Sequence, residues 1–108
     1  MKPKLNWQAY SNADRNKIIE EVKDSISKND GCIMNFNMYS DLALTLCIEI
    51  EEYKIIGLHK TLSCKLTVSD FDVENINLDS KKEWLIFLNM SFNKGTGNLK
   101  TMIPAVPG

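Results

Sequence analysis

The spacing of apolar residues predicts a helix in the first third of the chain. Apolar side chains recur there at intervals of three and four, with charged residues between them, which is typical of an amphipathic helix. The helix is expected over residues 13–27, with Ser11 or Asn12 as its N-cap. Gly31 follows and is expected to end it in a left-handed conformation. The apolar positions are Ile18, Ile19, Val22 and Ile26.

The next two segments alternate between large apolar residues and residues that are mostly small or polar. Residues 32–38 and 42–50 both have this period of two, and three turn residues separate them. Two such runs joined by a short turn predict a β-hairpin. A second helix is predicted over residues 53–62, weakened by Gly57, which costs about 1 kcal/mol relative to alanine in a helix interior.

The rest of the chain predicts further strands and connections. Residues 1–10 carry Trp7 and Tyr10 and are expected to form an irregular arm lying against the domain. The remaining segments are a short strand at 65–69, an acidic connection at 70–80, a long strand at 83–92, a loop at 93–98, a return strand at 99–103 and a tail at 104–108.

This order of elements predicts one α+β domain over residues 1–108. The order α-β-β-α-β-β favours a two-layer sandwich, with two helices on one face of an antiparallel sheet. It resembles a ferredoxin-like βαββαβ ring whose first strand has been moved to the end. A resemblance at the level of fold carries no function.

The strand at 83–92 carries large apolar residues on both faces. Leu85 and Phe87 lie on its second face, which an open sheet would leave in water. The expected cover is the N-terminal arm, the C-terminal tail or a second copy of the chain. We expect a homodimer with Leu85 and Phe87 in its interface, because twofold dimers are the commonest assembly.

Charge and composition narrow the classes of partner. The chain has 13 Lys and Arg against 14 Asp and Glu, and its single arginine is Arg15. Nucleic acid is therefore an unlikely partner, since such proteins present clustered cations. No apolar run is long enough to span a membrane and no secretory signal is recognised, so a cytoplasmic location is expected. The odd number of cysteines, three, favours reduced thiols.

No motif specifies a reaction, a metal or a cofactor. Of the residues that could act in catalysis, His59 and Cys64 come closest to a nucleophilic pair, but neither has the sequence context of a known site. We therefore expect His59 to be a surface histidine near the end of a helix. The cysteines and the single histidine do not have zinc-site spacing. Three other features are interpreted as ordinary structure: a solvated acidic loop at 70–75, a glycine turn at 94–97, and solvated carboxylates at Glu49, Glu51 and Glu52.

Three classes of function remain open. The first is a protein-interaction or ligand-sensing module that acts as a small homodimer, or an accessory protein for one specific partner. The second is a small enzyme that uses His59 with a cysteine or a carboxylate. The third is an RNA-binding domain with a ferredoxin-like sheet, for which an exposed positive sheet face is required.

Overall fold

The computed structural model describes residues 2–92, which form a five-stranded sheet and two α-helices. Short 3₁₀ helices lie at Glu52–Lys54 and Val73–Asn75. The predicted loop at 93–98, return strand at 99–103 and tail at 104–108 lie outside the described residues. The elements are β1 (Lys4–Ser11), α1 (Arg15–Lys28), β2 (Cys32–Ser40), β3 (Ala43–Glu51), α2 (Ile55–Ser63), β4 (Thr67–Val68) and β5 (Glu83–Phe92).

The sheet has the strand order β2-β3-β5-β1-β4. Its β1 and β5 strands are parallel, and its other neighbours are antiparallel. The prediction of an antiparallel sheet is therefore wrong, and the sheet is mixed. The reason is β1, whose insertion between β5 and β4 creates the one parallel pair.

The N-terminal segment is a strand inside the sheet, so the prediction of an irregular arm over residues 1–10 is wrong. Trp7 is fully buried, and Ala9 and Ser11 are buried on the same face of β1. Leu5, Trp7 and Ala9 alternate with polar residues, so the sequence does carry a short strand pattern here, which the small size of Ala9 and Ser11 weakens. With β1 included, the described order is β-α-β-β-α-β-β.

The predicted pairing of the two long alternating strands is confirmed. β3 and β5 are antiparallel neighbours, with Leu46 opposite Leu88 and Ile48 opposite Ile86. These residues are buried in a single core that also contains the apolar stripes of α1 and α2. The two helices also contact each other, as in the predicted two-layer arrangement.

Helix α1 begins and ends one or two residues away from the predicted positions. Its N-cap is Asp14, whose Oδ2 accepts a hydrogen bond from the Lys17 backbone N–H at 3.1 Å. At the other end, Asp30 has the left-handed conformation, with φ of 61°. Gly31 is needed for a different reason: a Cβ there would lie 3.0 Å from a methyl group of Ile26.

Helices α1 and α2 approach each other at Gly57. A Cβ at this position would lie 3.0 Å from Asn29 Oδ1. Asn29 ends α1, and its Nδ2 donates to the Ser25 carbonyl at 2.9 Å and to Thr61 Oγ1 at 3.2 Å. Because Gly57 has no side chain, Asn29 at the end of α1 can pack against α2.

Candidate interaction surfaces

The β2 strand forms one edge of the sheet and carries a cluster of exposed apolar side chains. The exposed fractions are 54% for Met34, 39% for Phe36, 43% for Met38 and 69% for Tyr39. Within residues 2–92, few other large apolar side chains are this exposed. We call this strand, from Cys32 to Ser40, the β2 edge.

The β2 edge lacks two of the usual features that prevent edge pairing, charged residues and proline, although its register is irregular at two points. None of its nine residues is charged and none is proline. Natural edges are commonly protected by such residues or by being very short. The opposite edge of the sheet, β4, has only two residues. The long edge of the described sheet is therefore the one without charge or proline.

The central part of the β2 edge is regular. Register irregularities occur between Ile33 and Asn35 and between Met38 and Ser40, so the ladder between them is uninterrupted. Pairing with β3 places Phe36 beside Leu46 on the helix side of the sheet, and it places Asn37 on the open side. Asn35 Oδ1 accepts the Phe36 backbone N–H at 2.9 Å.

Helix α1 contributes an ion pair beside this segment. The Lys23 ammonium lies 5.8 Å from the centre of the Phe36 ring. The same ammonium lies 3.8 Å from the Glu20 carboxylate. One charge of each sign therefore borders the apolar side of the β2 edge.

The two residues predicted for the interface, Leu85 and Phe87, lie on the sheet face opposite the helices. Both are half-buried. Leu85 is flanked by Glu49 on β3 and by Lys4 on β1. Lys2 also forms ion pairs with Glu49 and with Glu83. Charged groups of the chain itself thus surround Leu85.

Polar groups also surround Phe87. Its register partners are Cys47 on β3 and Asn6 on β1. In the next row, Thr45 Oγ1 donates to Asn89 Oδ1 at 2.8 Å. Burial, and then the nearby Glu49 carboxylate, raise the pKa of the Cys47 thiol, while Lys4 opposes them. This face is therefore a mixed polar surface and not a continuous apolar patch.

His59 is part of an aromatic cluster and not the free surface group expected. Its ring lies edge-on to Trp7 at 5.0 Å between centres and packs on Phe71 at 4.9 Å. Its Nε2 is 2.9 Å from the Ser69 carbonyl oxygen, so this nitrogen is the donor of a structural hydrogen bond. Cys64 is exposed. The structure thus gives Nε2 a backbone partner instead of a thiol or a carboxylate.

Glu52 is buried, contrary to the prediction of a solvated carboxylate. Its Oε2 accepts the Asn77 backbone N–H at 2.8 Å. This hydrogen bond is the main cause of the lowered pKa of Glu52, and Ser80, Trp84 and Lys82 lower it further. The Trp84 indole N–H does not itself reach hydrogen-bonding geometry. A single glutamate after an alternating strand gives no sequence signal of this role.

The groups that a metal site or a nucleic-acid surface would require are not brought together within residues 2–92. No group of three or more His, Cys, Asp or Glu side chains in this range could hold a metal ion. The open sheet face mixes Lys2 and Lys4 with Glu49, Glu51 and Glu83, so the charges described there do not form a positive stripe. No helix in this range is long and apolar enough to cross a bilayer.

Comparisons of the chain with protein-family models, with curated proteins and with solved structures find no match.

Proposed function

We propose that this protein is a protein-interaction module that binds a polypeptide partner along the β2 edge. The observation that supports it is the combination of a nine-residue edge strand without charge or proline and four exposed large apolar side chains on that strand. The homodimer predicted from the sequence is one form of this interaction.

Strand addition at this edge would provide backbone hydrogen bonds and would also cover exposed apolar side chains. An added strand pairs with the outward backbone N–H and C=O groups, and its side chains contact those of β2. At Phe36 this pairing requires Asn35 Oδ1 to release the backbone N–H that it accepts. Covering apolar surface contributes roughly 25 cal/mol for each Å² removed from water. Phe36 and Met38 are the side chains that would gain most on the helix side.

The sequence-based interface at Leu85 and Phe87 has less support. These side chains are already half-buried by their neighbours, and ion pairs of Lys2 lie beside them. Desolvating such charges on binding is costly unless new partners replace the water. We therefore place the proposed contact at β2 and keep Leu85 and Phe87 as the alternative surface.

Site-specific photo-crosslinking in cells that express the protein tests this proposal. A benzophenone amino acid replaces Tyr39 on the β2 edge or, as the matched control, the equally exposed Leu78 in the 70–82 connection. We expect a discrete adduct from position 39, identified by mass spectrometry, and none from position 78. Equal labelling from both positions, or none from position 39, would contradict the proposal.

We also propose a more specific description of the fold. Strands β1 to β4 with the two helices form a ferredoxin-like βαββαβ unit, and β5 is inserted between β3 and β1. In support, omission of β5 from the strand order leaves β2-β3-β1-β4. Nuclear Overhauser contacts of β5 amides with both β1 and β3 are expected, and direct β1–β3 contacts would overturn this description.

A further inference from the structure

We infer that the partner on the β2 edge is the β2 strand of a second copy, paired antiparallel about a twofold axis at Phe36. The two sheets would then join into one sheet of ten strands. This inference rests on the proposed function, because it names the polypeptide that the edge binds.

The side-chain pattern of the β2 edge is complementary to itself. An antiparallel mate centred on Phe36 places each Phe36 opposite its own symmetry equivalent, and it places Asn35 opposite the second copy's Asn37. Paired residues share a face of the sheet, so apolar groups meet on the helix side and amides meet on the open side. The regular ladder between the two irregularities of β2 includes all three residues.

The absence of charge on the strand also allows a second copy at this edge. A strand that carried a lysine or a glutamate near the axis would face the same charge in its mate, but residues 32–40 carry none. The Glu20–Lys23 ion pair borders the apolar side of the strand. A twofold axis at Phe36 brings the two Lys23 ammonium groups to the same side of the joined sheet, and the Glu20 carboxylate beside each of them reduces their mutual repulsion.

The geometry also sets the strength and the symmetry of the contact. The regular part of β2 is only the segment 35–38, so two such strands and the adjoining surface of α1 would form a small interface, below about 1,200 Å² in total. We therefore expect dissociation in the micromolar range. The pairing is closed by its twofold axis, so among the strands of residues 2–92 only the two-residue β4 strands would remain as edges, and pairing through β2 would not propagate into a fibre.

Charge reversal at the axis provides the test. Phe36→Lys and Phe36→Glu each place like charges opposite each other, so each variant alone should sediment as a monomer at tens of micromolar, where the unmodified protein is a dimer. An equimolar mixture should restore the dimer, because unlike charges then meet. Since Phe36 is an exposed edge residue, both variants should retain the circular dichroism spectrum of the parent protein. Leu78→Lys is the matched control and should dimerise normally.

Three results would overturn the inference. The unmodified protein could remain monomeric at tens of micromolar, Phe36→Lys could still dimerise, or the mixture could fail to dimerise. Loss of the dimer with Phe87→Lys but not with Phe36→Lys would move the interface to the open face. A monomer that still gives a position-39 adduct with another protein would overturn the dimer and leave the proposed function standing. If neither dimer nor adduct forms, both fail.

Discussion

Glu52 links the end of β3 to the connection that precedes β5. Its backbone N–H donates to the Lys82 carbonyl at 2.8 Å, and its carboxylate accepts the backbone N–H of Asn77. The next residue, Tyr53, donates its N–H to the Ser80 carbonyl at 3.0 Å. One acidic side chain and two backbone groups therefore hold residues 77–82 against the end of the sheet.

Replacing Glu52 by glutamine should lower stability in a pH-dependent way. The folded state lowers the pKa of Glu52 below its ordinary value. Ionised Glu52 therefore stabilises the fold at a pH above the ordinary pKa, and this stabilisation is lost as the pH falls through the lowered pKa of the folded state. We expect the melting temperature of Glu52→Gln to be several degrees below that of the parent at neutral pH. This difference should shrink as the pH falls below about 4.

Thermal unfolding followed by circular dichroism between neutral and acid pH measures this difference. Glu74→Gln, at an exposed position of the same connection, is the control and should leave the melting temperature unchanged at every pH. A gap between Glu52→Gln and the parent that stays constant down to strongly acid pH would contradict the ionic role of Glu52.

At the scale of elements, hydrophobic periodicity predicted every element in which the buried face is made of large apolar residues. Such faces define α1, β3 and β5, whose apolar positions follow a period of 3.6 or 2. β1 has a weaker form of the same pattern, because only Leu5 and Trp7 are large on its inward face and Ala9 and Ser11 are small.

The candidate surface was only partly predictable for a related reason. The sequence identified residues 32–38 as an alternating strand, but strand order decides which alternating strand lies at an edge. β2 and β3 have similar patterns, yet β3 lies between two strands and its apolar residues are buried, whereas β2 exposes Met34 and Phe36. Leu85 and Phe87 were predicted as interface residues from the local sequence pattern, which does not reveal their polar neighbours in the sheet.

Gly57 provides a test of how the two helices meet. Alanine in place of a helical glycine gains about 1 kcal/mol from propensity alone. Here the new methyl group would press on Asn29 Oδ1, which its own hydrogen bonds hold in position. We expect Gly57→Ala to raise the free energy of unfolding of the parent protein by clearly less than this amount. It should gain nearly the full amount in an Asn29→Ala background.

Chemical denaturation of the four proteins in this double-mutant cycle gives the interaction free energy, for which we expect about 0.5–1 kcal/mol. A stabilisation by Gly57→Ala that is equal in both backgrounds would show that Asn29 does not limit the approach of the helices.

At the scale of the whole molecule, the centre of the sheet joins the two ends of the described chain. β1 pairs with β5 along its full length, from Lys4 opposite Leu85 to Ser11 opposite Phe92. The β2–β3 hairpin, in contrast, pairs residues that are close in sequence. Pairing of distant segments closes a long loop, which costs conformational entropy. Such pairing is therefore expected to follow the formation of local contacts. The hairpin is therefore expected to form before the central parallel pair.

Two matched variants test this order of folding. Ile33 on β2 and Leu5 on β1 are both partly buried aliphatic residues packed against the same core, so truncation of either to alanine should destabilise the fold by about 1–3 kcal/mol. If the hairpin belongs to the folding nucleus, Ile33→Ala should mainly slow refolding, whereas Leu5→Ala should mainly accelerate unfolding. Stopped-flow measurements in denaturant, at protein concentrations well below the micromolar range of the proposed dimer, separate the two rates. A larger effect of Leu5→Ala on refolding would mean that the ends of the chain meet first, and that the N-terminal strand organises the sheet instead of completing it.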